Sequence, residues 1–114
     1  MKIDERSFEF ALEIVALYKF LTDRKEYVLA KQVLRSGTSI GANVQEAQAA
    51  QSRPDFLAKM SIASKEARET NYWLRLLSQS GYLEHYQKKD ELLGATESIV
   101  NIITKIVKTT RAKQ

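Results

Sequence analysis

Apolar residues recur along this chain at the spacing of an α-helix, in four segments that short polar breaks separate. The first segment, residues 4–22 with Asp4 as its possible N-cap, carries one apolar stripe at Phe10, Ile14, Leu17 and Leu21. A neighbouring stripe lies beside it at Phe8, Leu12, Val15 and Tyr18. Together the stripes make an apolar arc wider than one packing face requires, which predicts a second contact surface on this helix.

The second segment, residues 24–51, is predicted as a long helix. Asp23 and Glu26 stand before it at the spacing of a capping box, with Asp23 as N-cap. Its core positions alternate in steps of three and four residues, at Ala30, Val33, Gly37, Ile40, Val44 and Ala47. This alternation is typical of helices that pack in a left-handed bundle.

Two glycines, Gly37 and Gly41, interrupt the middle of this helix and cost about 1 kcal/mol each relative to alanine. The stretch is therefore either a flexible functional loop or a place where two helices approach closely. The apolar spacing continues through it, which favours the close approach. Buried polar groups need partners, so we expect the hydroxyls of this stretch, on Ser36, Thr38 and Ser39, and the amide of Asn43 to hydrogen-bond across that interface.

The third helix is predicted over residues 53–80, with Ser52 as N-cap, Pro54 in the first turn and Gly81 as the C-terminal stop. Its core positions are Phe56, Met60, Ala63, Ala67, Thr70, Leu74 and Leu77. The fourth helix is predicted over residues 86–110, with a core of Leu92, Ile99, Ile103 and Ile106. Three further apolar residues widen its arc as in the first helix, namely Leu93, Val100 and Val107.

No segment keeps the alternation of a strand, and no Asn-Gly or Asp-Gly hairpin turn occurs in the sequence. Short connections between long helices favour antiparallel neighbours. The chain of 114 residues is therefore predicted to be all-α, a single up-down-up-down antiparallel four-helix bundle over residues 1–114.

The net charge of +4 has a definite position in the sequence. Residues 1–97 hold 14 basic and 14 acidic side chains, and no acidic residue follows Glu97. The excess is four cations at the end of the fourth helix: Lys105, Lys108, Arg111 and Lys113. They either stabilise the negative end of that helix or form a patch that attracts anions.

The composition excludes several classes of function. The chain has no Cys, which excludes disulfides, Cys-ligated zinc and thiol catalysis and favours the cytoplasm. The longest uncharged run, residues 36–45, is about half the length of a bilayer span, and charges follow the first residue immediately, so we expect no membrane or export segment. The only histidine, His85, is expected to be a solvated loop residue.

The carboxylates of Glu46, Glu66 and Glu69 suggest an acid–base or metal site. The chain has no Glu-x-x-His motif, which excludes the usual ferritin-like di-iron centre. We instead expect Glu66 and Glu69 to lie with Trp73 at a partly apolar interface. There they would pair with an arginine, for which the candidates are Arg35, Arg68 and Arg75. With no Ser/His/Asp set and no phosphate loop, we expect no enzyme activity, cofactor or metal.

Two stretches, residues 35–47 and 59–74, resemble the four-helix bundle proteins encoded in bacterial 23S rRNA intervening sequences. The most specific part combines residues 65–70 with Ser39, Asn43, Glu46, Trp73 and Leu74. The resemblance implies a cytoplasmic bacterial homopentamer without known catalytic activity. A related family, the accessory variability determinant of diversity-generating retroelements, is similar in fold and pentameric form and binds nucleic acid. Nucleic acid, with RNA favoured over DNA, is therefore the partner that the resemblance implies.

The leading hypothesis is a non-enzymatic, homo-oligomeric nucleic-acid-binding protein. Its candidate contacts are Lys105, Lys108, Arg111 and Lys113, and secondarily Lys31, Arg35 and Arg53. One rival is a scaffold whose exposed apolar arc binds a protein partner and which has no affinity for nucleic acid. A second rival is a metal-dependent enzyme that uses Glu46, Glu66 and Glu69.

Overall fold

The computed structural model of the protein describes residues 1–113 and contains four α-helices. Their bounds are α1 Ile3–Asp23, α2 Val28–Gln48, α3 Arg53–Gln79 and α4 Lys89–Ala112. Each helix packs against the helices before and after it, and α1 also packs against α4, which closes the bundle. No strand occurs in the described residues. The prediction of an all-α, up-down-up-down antiparallel four-helix bundle is confirmed.

The core is built from the stripes that helical spacing predicts. All six predicted core positions of α2 are buried, and so is the first stripe of α1. In α3 every predicted position is buried except Phe56, which is half-buried at the start of the helix. In α4 the side chain of Val107 is buried and that of Ile106 only half-buried, so the last turns face the core one residue later than predicted.

The glycines of α2 permit the close approach of α1. A Cβ added to Gly37 would lie 2.8 Å from Cγ1 and 2.9 Å from Cγ2 of the buried Ile14 side chain. A Cβ at Gly41 would lie 3.2 Å from the carbonyl oxygen of Ser7. The stretch around both residues is continuous α-helix. The close-approach interpretation is thus confirmed, and a loop at this place is wrong.

Two predicted N-caps, Asp4 and Asp23, are wrong. The N-cap of α1 is Lys2 instead of Asp4, and the side chain of Glu5 accepts the Lys2 backbone N–H at 3.2 Å. Asp23 is the last residue of α1 instead of the cap of α2, because the turn after α1 follows it, with Arg24 as C-cap and Lys25 in a left-handed conformation with φ of 63°. The N-cap of α2 is Tyr27. Glu26 still has a capping role, since its carboxylate accepts the N–H of Leu29 at 3.0 Å.

The ends of α3 follow the predicted local chemistry, whereas the start of α4 does not. The Ser52 hydroxyl accepts the Asp55 N–H at 3.1 Å. At the other end, Gly81 follows the C-cap residue Ser80 and stops the helix with φ of 91°. The fourth helix begins at Lys89, three residues later than predicted. The reason is that the connection carries Leu83, which is buried in the core, and a turn is needed to bring it there.

Within the described chain, no helix is both long and apolar enough to cross a bilayer.

Candidate nucleic-acid interface

A groove of about 210 Å³ runs between α3 and the C-terminal half of α4. Its polar lining comprises Ser61, Ser64 and Arg68 from α3, and Thr104, Lys108 and Arg111 from α4. On each helix these residues lie three, four or seven positions apart, which places them on one face. The Arg68 Nη2 donates to Thr104 Oγ1 at 3.2 Å and so connects the two walls. We call this the cationic groove.

The positive charge around the cationic groove is not balanced by neighbouring carboxylates. Lys105, Lys108 and Arg111 are exposed on successive turns of α4, and Arg68 is exposed on α3. Within residues 1–113, the ion pairs join only Arg35 with two glutamates and Lys59 with Glu46. Four cations with free charge and three neighbouring hydroxyls are suited to binding an anion with several oxygens, such as a phosphate chain.

A second groove of about 350 Å³ lies where α3 begins and α4 ends. It is lined by Ser52, Arg53, Phe56, Thr109, Thr110 and Lys113, and we call it the aromatic groove. Arg53 Nη1 donates to the Lys113 carbonyl oxygen at 2.7 Å, which joins the start of α3 to the end of α4. The structure therefore brings two of the predicted contacts, Arg53 and Lys113, to one place beside the cationic groove.

The other two predicted contacts lie elsewhere. Lys31 and Arg35 are exposed on α2, which does not pack against α4. Arg35 Nη1 is 3.4 Å from Glu66 Oε2, and Arg35 Nη2 also pairs with Glu69. The indole N–H of Trp73 donates to the same Glu69 carboxylate at 3.0 Å. The charge of Arg35 is balanced within this cluster, whose effect is to join α2 to α3.

None of the predicted hydrogen bonds crosses the close approach of α1 and α2, and Thr38 Oγ1 there donates to the Leu34 carbonyl oxygen of its own helix at 2.7 Å. Ser36 Oγ and Thr70 Oγ1 lie 2.9 Å apart in the core and connect α2 to α3. For Ser39 and Asn43 the prediction is wrong, because both side chains donate to carbonyl oxygens of their own helix, at 2.6 and 2.9 Å. Both are only half-buried, and the carbonyl four residues back is the nearest acceptor.

The three candidate carboxylates do not converge. Glu66 and Glu69 face Arg35, whereas Glu46 is exposed and pairs with Lys59 at 3.1 Å. Among the described residues, no group of three or more His, Asp or Glu side chains is placed to hold a metal ion.

Shifted pKa values occur away from both grooves. Burial raises the pKa of Glu13 on α1, and the nearby Glu91 carboxylate raises it further. In the connection between α3 and α4, a hydrogen bond to Glu26 raises the pKa of Tyr82, and burial raises that of Tyr86.

The outer face of α1 is apolar and solvent-exposed in the single chain. Phe8 and Leu12 are 63% and 57% exposed, whereas Val15 and Tyr18 of the same stripe are half-buried. Phe8 borders a groove of about 560 Å³ between α1 and α2. Three more large apolar side chains are exposed on α3, those of Ile62, Tyr72 and Leu76.

Comparison with known proteins places this architecture in a family. Residues 1–105 match the family described as 23S rRNA-intervening sequence protein. The chain belongs to this family. A crystal structure of a protein of unknown function from the S23 ribosomal protein family of Bacteroides thetaiotaomicron is similar over 94% of this chain and 99% of its own. The two share 47% identity with a TM-score of 0.88, and no curated protein matches.

The family match ends within α4, at the first of the four terminal cations. Lys105 is inside the matched residues, and Lys108, Arg111 and Lys113 lie beyond them. Arg68 lines the cationic groove but is not among the contacts predicted from the sequence, and it lies well inside the matched residues. In the sequence, Arg68 stands among alternating charges, and only its spacing of four and seven from Ser64 and Ser61 signals the groove.

Proposed function

We propose that this protein is a non-enzymatic cytoplasmic protein that binds nucleic acid, RNA in preference to DNA, through the C-terminal half of α4. The observation that carries the proposal is the cationic groove, in which Arg68, Lys108 and Arg111 stand beside three hydroxyl groups without a carboxylate partner in the described chain. The family description, with its reference to 23S rRNA, supports RNA as the nucleic acid. Kinship with the retroelement determinant remains a prediction.

The groove is suited to the phosphate backbone rather than to base edges. Lys and Arg contact phosphates without reading sequence, and hydroxyls add hydrogen bonds to the same oxygens. Lys105, Lys108 and Arg111 rise about 4.5 Å from one to the next along the helix axis. Three phosphate contacts on a single strand correspond to a slope of about −2 in the plot of log affinity against log salt.

The proposal is tested with the triple variant Lys105→Gln, Lys108→Gln, Arg111→Gln. Its matched control, Lys19→Gln, Lys25→Gln, Lys88→Gln, removes the same charge from exposed lysines outside both grooves. Binding to a labelled single-stranded RNA, the same sequence as DNA, and the duplex is measured by fluorescence anisotropy across a salt series.

We expect the groove variant to lose about two units of salt slope for single-stranded RNA, while the control keeps the slope of the wild type. Tighter binding of RNA than of DNA supports the preference. If the groove variant binds RNA with the wild-type slope, the cations of α4 are not the contact surface and the proposal is wrong.

We further propose that the protein assembles through the apolar face of α1 into a homo-oligomer, which the family resemblance makes a pentamer. Burial of Phe8 and Leu12 against another copy removes large apolar side chains from water. Five chains of charge +4 carry about +20 together. The tails then lie in equivalent positions around an axis, which concentrates the positive field that attracts nucleic acid.

Sedimentation tests the assembly with Phe8→Gln, Leu12→Gln. The control is Tyr27→Gln, Val28→Gln, which removes equally exposed apolar side chains at the start of α2. We expect the first variant to sediment as a smaller species and the control as the wild type. Unchanged sedimentation of the α1 variant contradicts an interface on this face.

The alternative function is a scaffold for another protein. The exposed Ile62, Tyr72 and Leu76 on α3 favour it, because they offer a partner an apolar surface separate from the α1 face. It predicts no affinity for any of the three nucleic acids at physiological salt. It also predicts a partner protein that binds the wild type but not the variants Leu76→Gln or Tyr72→Gln.

A further inference from the structure

We infer that the aromatic groove holds one unstacked base of a single strand whose phosphates lie in the cationic groove. The inference rests on the proposed function and makes it more specific, because it selects single-stranded over duplex nucleic acid. It is carried by the position of Phe56 among the cations at the end of the bundle.

The two grooves differ in the chemistry of their linings. The lining of the cationic groove has no aromatic residue, whereas Phe56 lines the aromatic groove together with Arg53, Thr109 and Thr110. Phe56 is half-buried, so its ring is held by the core on one side and borders the groove on the other. An aromatic ring beside an arginine is the arrangement on which proteins stack unpaired bases.

The two linings belong to the same turns of α4. Lys108 and Arg111 border one groove, and Thr109, Thr110 and Lys113 border the other. Consecutive residues of an α-helix point about 100° apart, so the grooves flank a single helix end on two sides. One nucleotide therefore has its phosphate and its base within reach of different faces of the same turns.

The wall of the aromatic groove is also set in position before a ligand arrives. Arg53 and Phe56 are three residues apart and share a face of α3. The Arg53 guanidinium is fixed by its 2.7 Å hydrogen bond to the Lys113 carbonyl oxygen. Side chains that are already ordered lose less entropy when they bind, which favours a ligand that fits between them.

A duplex does not satisfy this arrangement. Its bases are paired and stacked, and bringing one into the aromatic groove requires extrusion from the helix. Its phosphates still bind the cationic groove. We therefore expect duplex binding to depend on the cations alone, and single-strand binding to depend on the cations and on Phe56.

The test is Phe56→Leu, which keeps an apolar side chain of similar size and removes the aromatic face. Phe20→Leu is the matched control, because Phe20 is also half-buried but lies outside both grooves. Phe56→Tyr restores an aromatic ring. The probe is a fluorescein-labelled oligoadenylate RNA of about twelve nucleotides, a length within the range of known single-strand sites, compared with its duplex.

We expect Phe56→Leu to weaken single-strand binding about tenfold, as for the loss of one stacked base, and to leave the salt slope unchanged because no charge is removed. Duplex binding stays at the wild-type level, as does binding by Phe20→Leu and Phe56→Tyr. In an RNA that contains 2-aminopurine, the wild type quenches the fluorescence of the base and Phe56→Leu does not.

Equal affinity of Phe56→Leu and wild type for the single strand overturns the inference, as does an equal loss for single strand and duplex. If Phe56→Leu unfolds, the comparison of Phe56→Tyr with wild type in the 2-aminopurine experiment decides, and absence of quenching by both overturns it. If the cation variant has a flattened salt slope but Phe56→Leu binds the single strand like the wild type, the proposed function is supported and only the base site is wrong. Absence of RNA binding by the wild type overturns both.

Discussion

Replacing Gly37 by alanine adds one methyl group where α2 packs closely against Ile14 of α1. The new Cβ meets Cγ1 and Cγ2 of Ile14 at 2.8 and 2.9 Å and Cδ1 at 3.1 Å. Ile14 is fully buried and branched at Cβ, so it has no free rotamer into which to withdraw. The helices must therefore move apart, and we expect Gly37→Ala to destabilise the bundle.

Two opposing contributions set the magnitude. Alanine is better than glycine inside a helix by about 1 kcal/mol, and overpacking a core costs about 1–3 kcal/mol. Gly94 on α4 allows the helix-propensity contribution to be measured without the packing cost, because a Cβ there has no neighbour within 4 Å. Gly94→Ala is expected to stabilise by about 1 kcal/mol. Gly37→Ala is expected to be less stable than Gly94→Ala by about 2 kcal/mol, which is the packing cost alone.

Urea unfolding followed by circular dichroism measures both variants, at one protein concentration because self-association contributes to stability. A second substitution at Ile14 checks the cause. Ile14→Val keeps both γ carbons and should not relieve the clash, whereas Ile14→Ala removes them and should cost less in the Gly37→Ala background than in the wild type. If Gly37→Ala is as stable as Gly94→Ala, the close approach does not constrain the core and the reasoning fails.

Three further predictions concern helix ends and pH. Ser52→Ala removes the acceptor of the Asp55 N–H and should lower the free energy of unfolding by about 1 kcal/mol in urea titration, while Ser52→Asp keeps the cap and most of the stability. Gly81→Ala places a side chain at φ of 91° and should lower the melting temperature, with Gly81→Asn less affected. Burial and Glu91 raise the pKa of Glu13 above its ordinary value, so the folded state binds this proton more tightly than the unfolded state does. The protein therefore loses stability as the pH rises from the ordinary pKa to the raised one. Glu13→Gln should therefore stabilise the protein at neutral pH and flatten that decline, and a variant that loses stability at pH 7 contradicts the assignment.

Helical periodicity predicts the bundle well because burial follows from spacing alone. Every core position of α2, including Gly37, is correct, since a regular stripe turns one side of the helix toward the core. Helix ends are less predictable because their turns depend on distant packing. Leu83 shows this, because its burial in the core delays the start of α4 and nothing in its local sequence signals it.

The candidate interface is only partly readable from the sequence. The excess charge of the four terminal cations is evident from the sequence because no acidic residue follows Glu97. Arg68 is hidden in a mixed run of charges, and only the packing of α3 on α4 brings it to Lys108. Conversely, Arg35 is one of three arginines that the sequence offers as partners of Glu66 and Glu69, more than thirty residues away, and only the packing of α2 on α3 selects it. Pairing over such distances is fixed by tertiary structure.

The exposed position of the cations on α4 has an evolutionary consequence. Lys105, Lys108 and Arg111 project away from the core, so substitutions there change stability by only a few tenths of a kcal/mol. Two of the three also lie beyond residues 1–105, the part that matches the family. Selection can therefore raise or lower the affinity of this helix for anions without disturbing the bundle. Relatives with nearly superimposable backbones are expected to differ widely in the charge of their last turns, and hence in the anionic molecules that they bind.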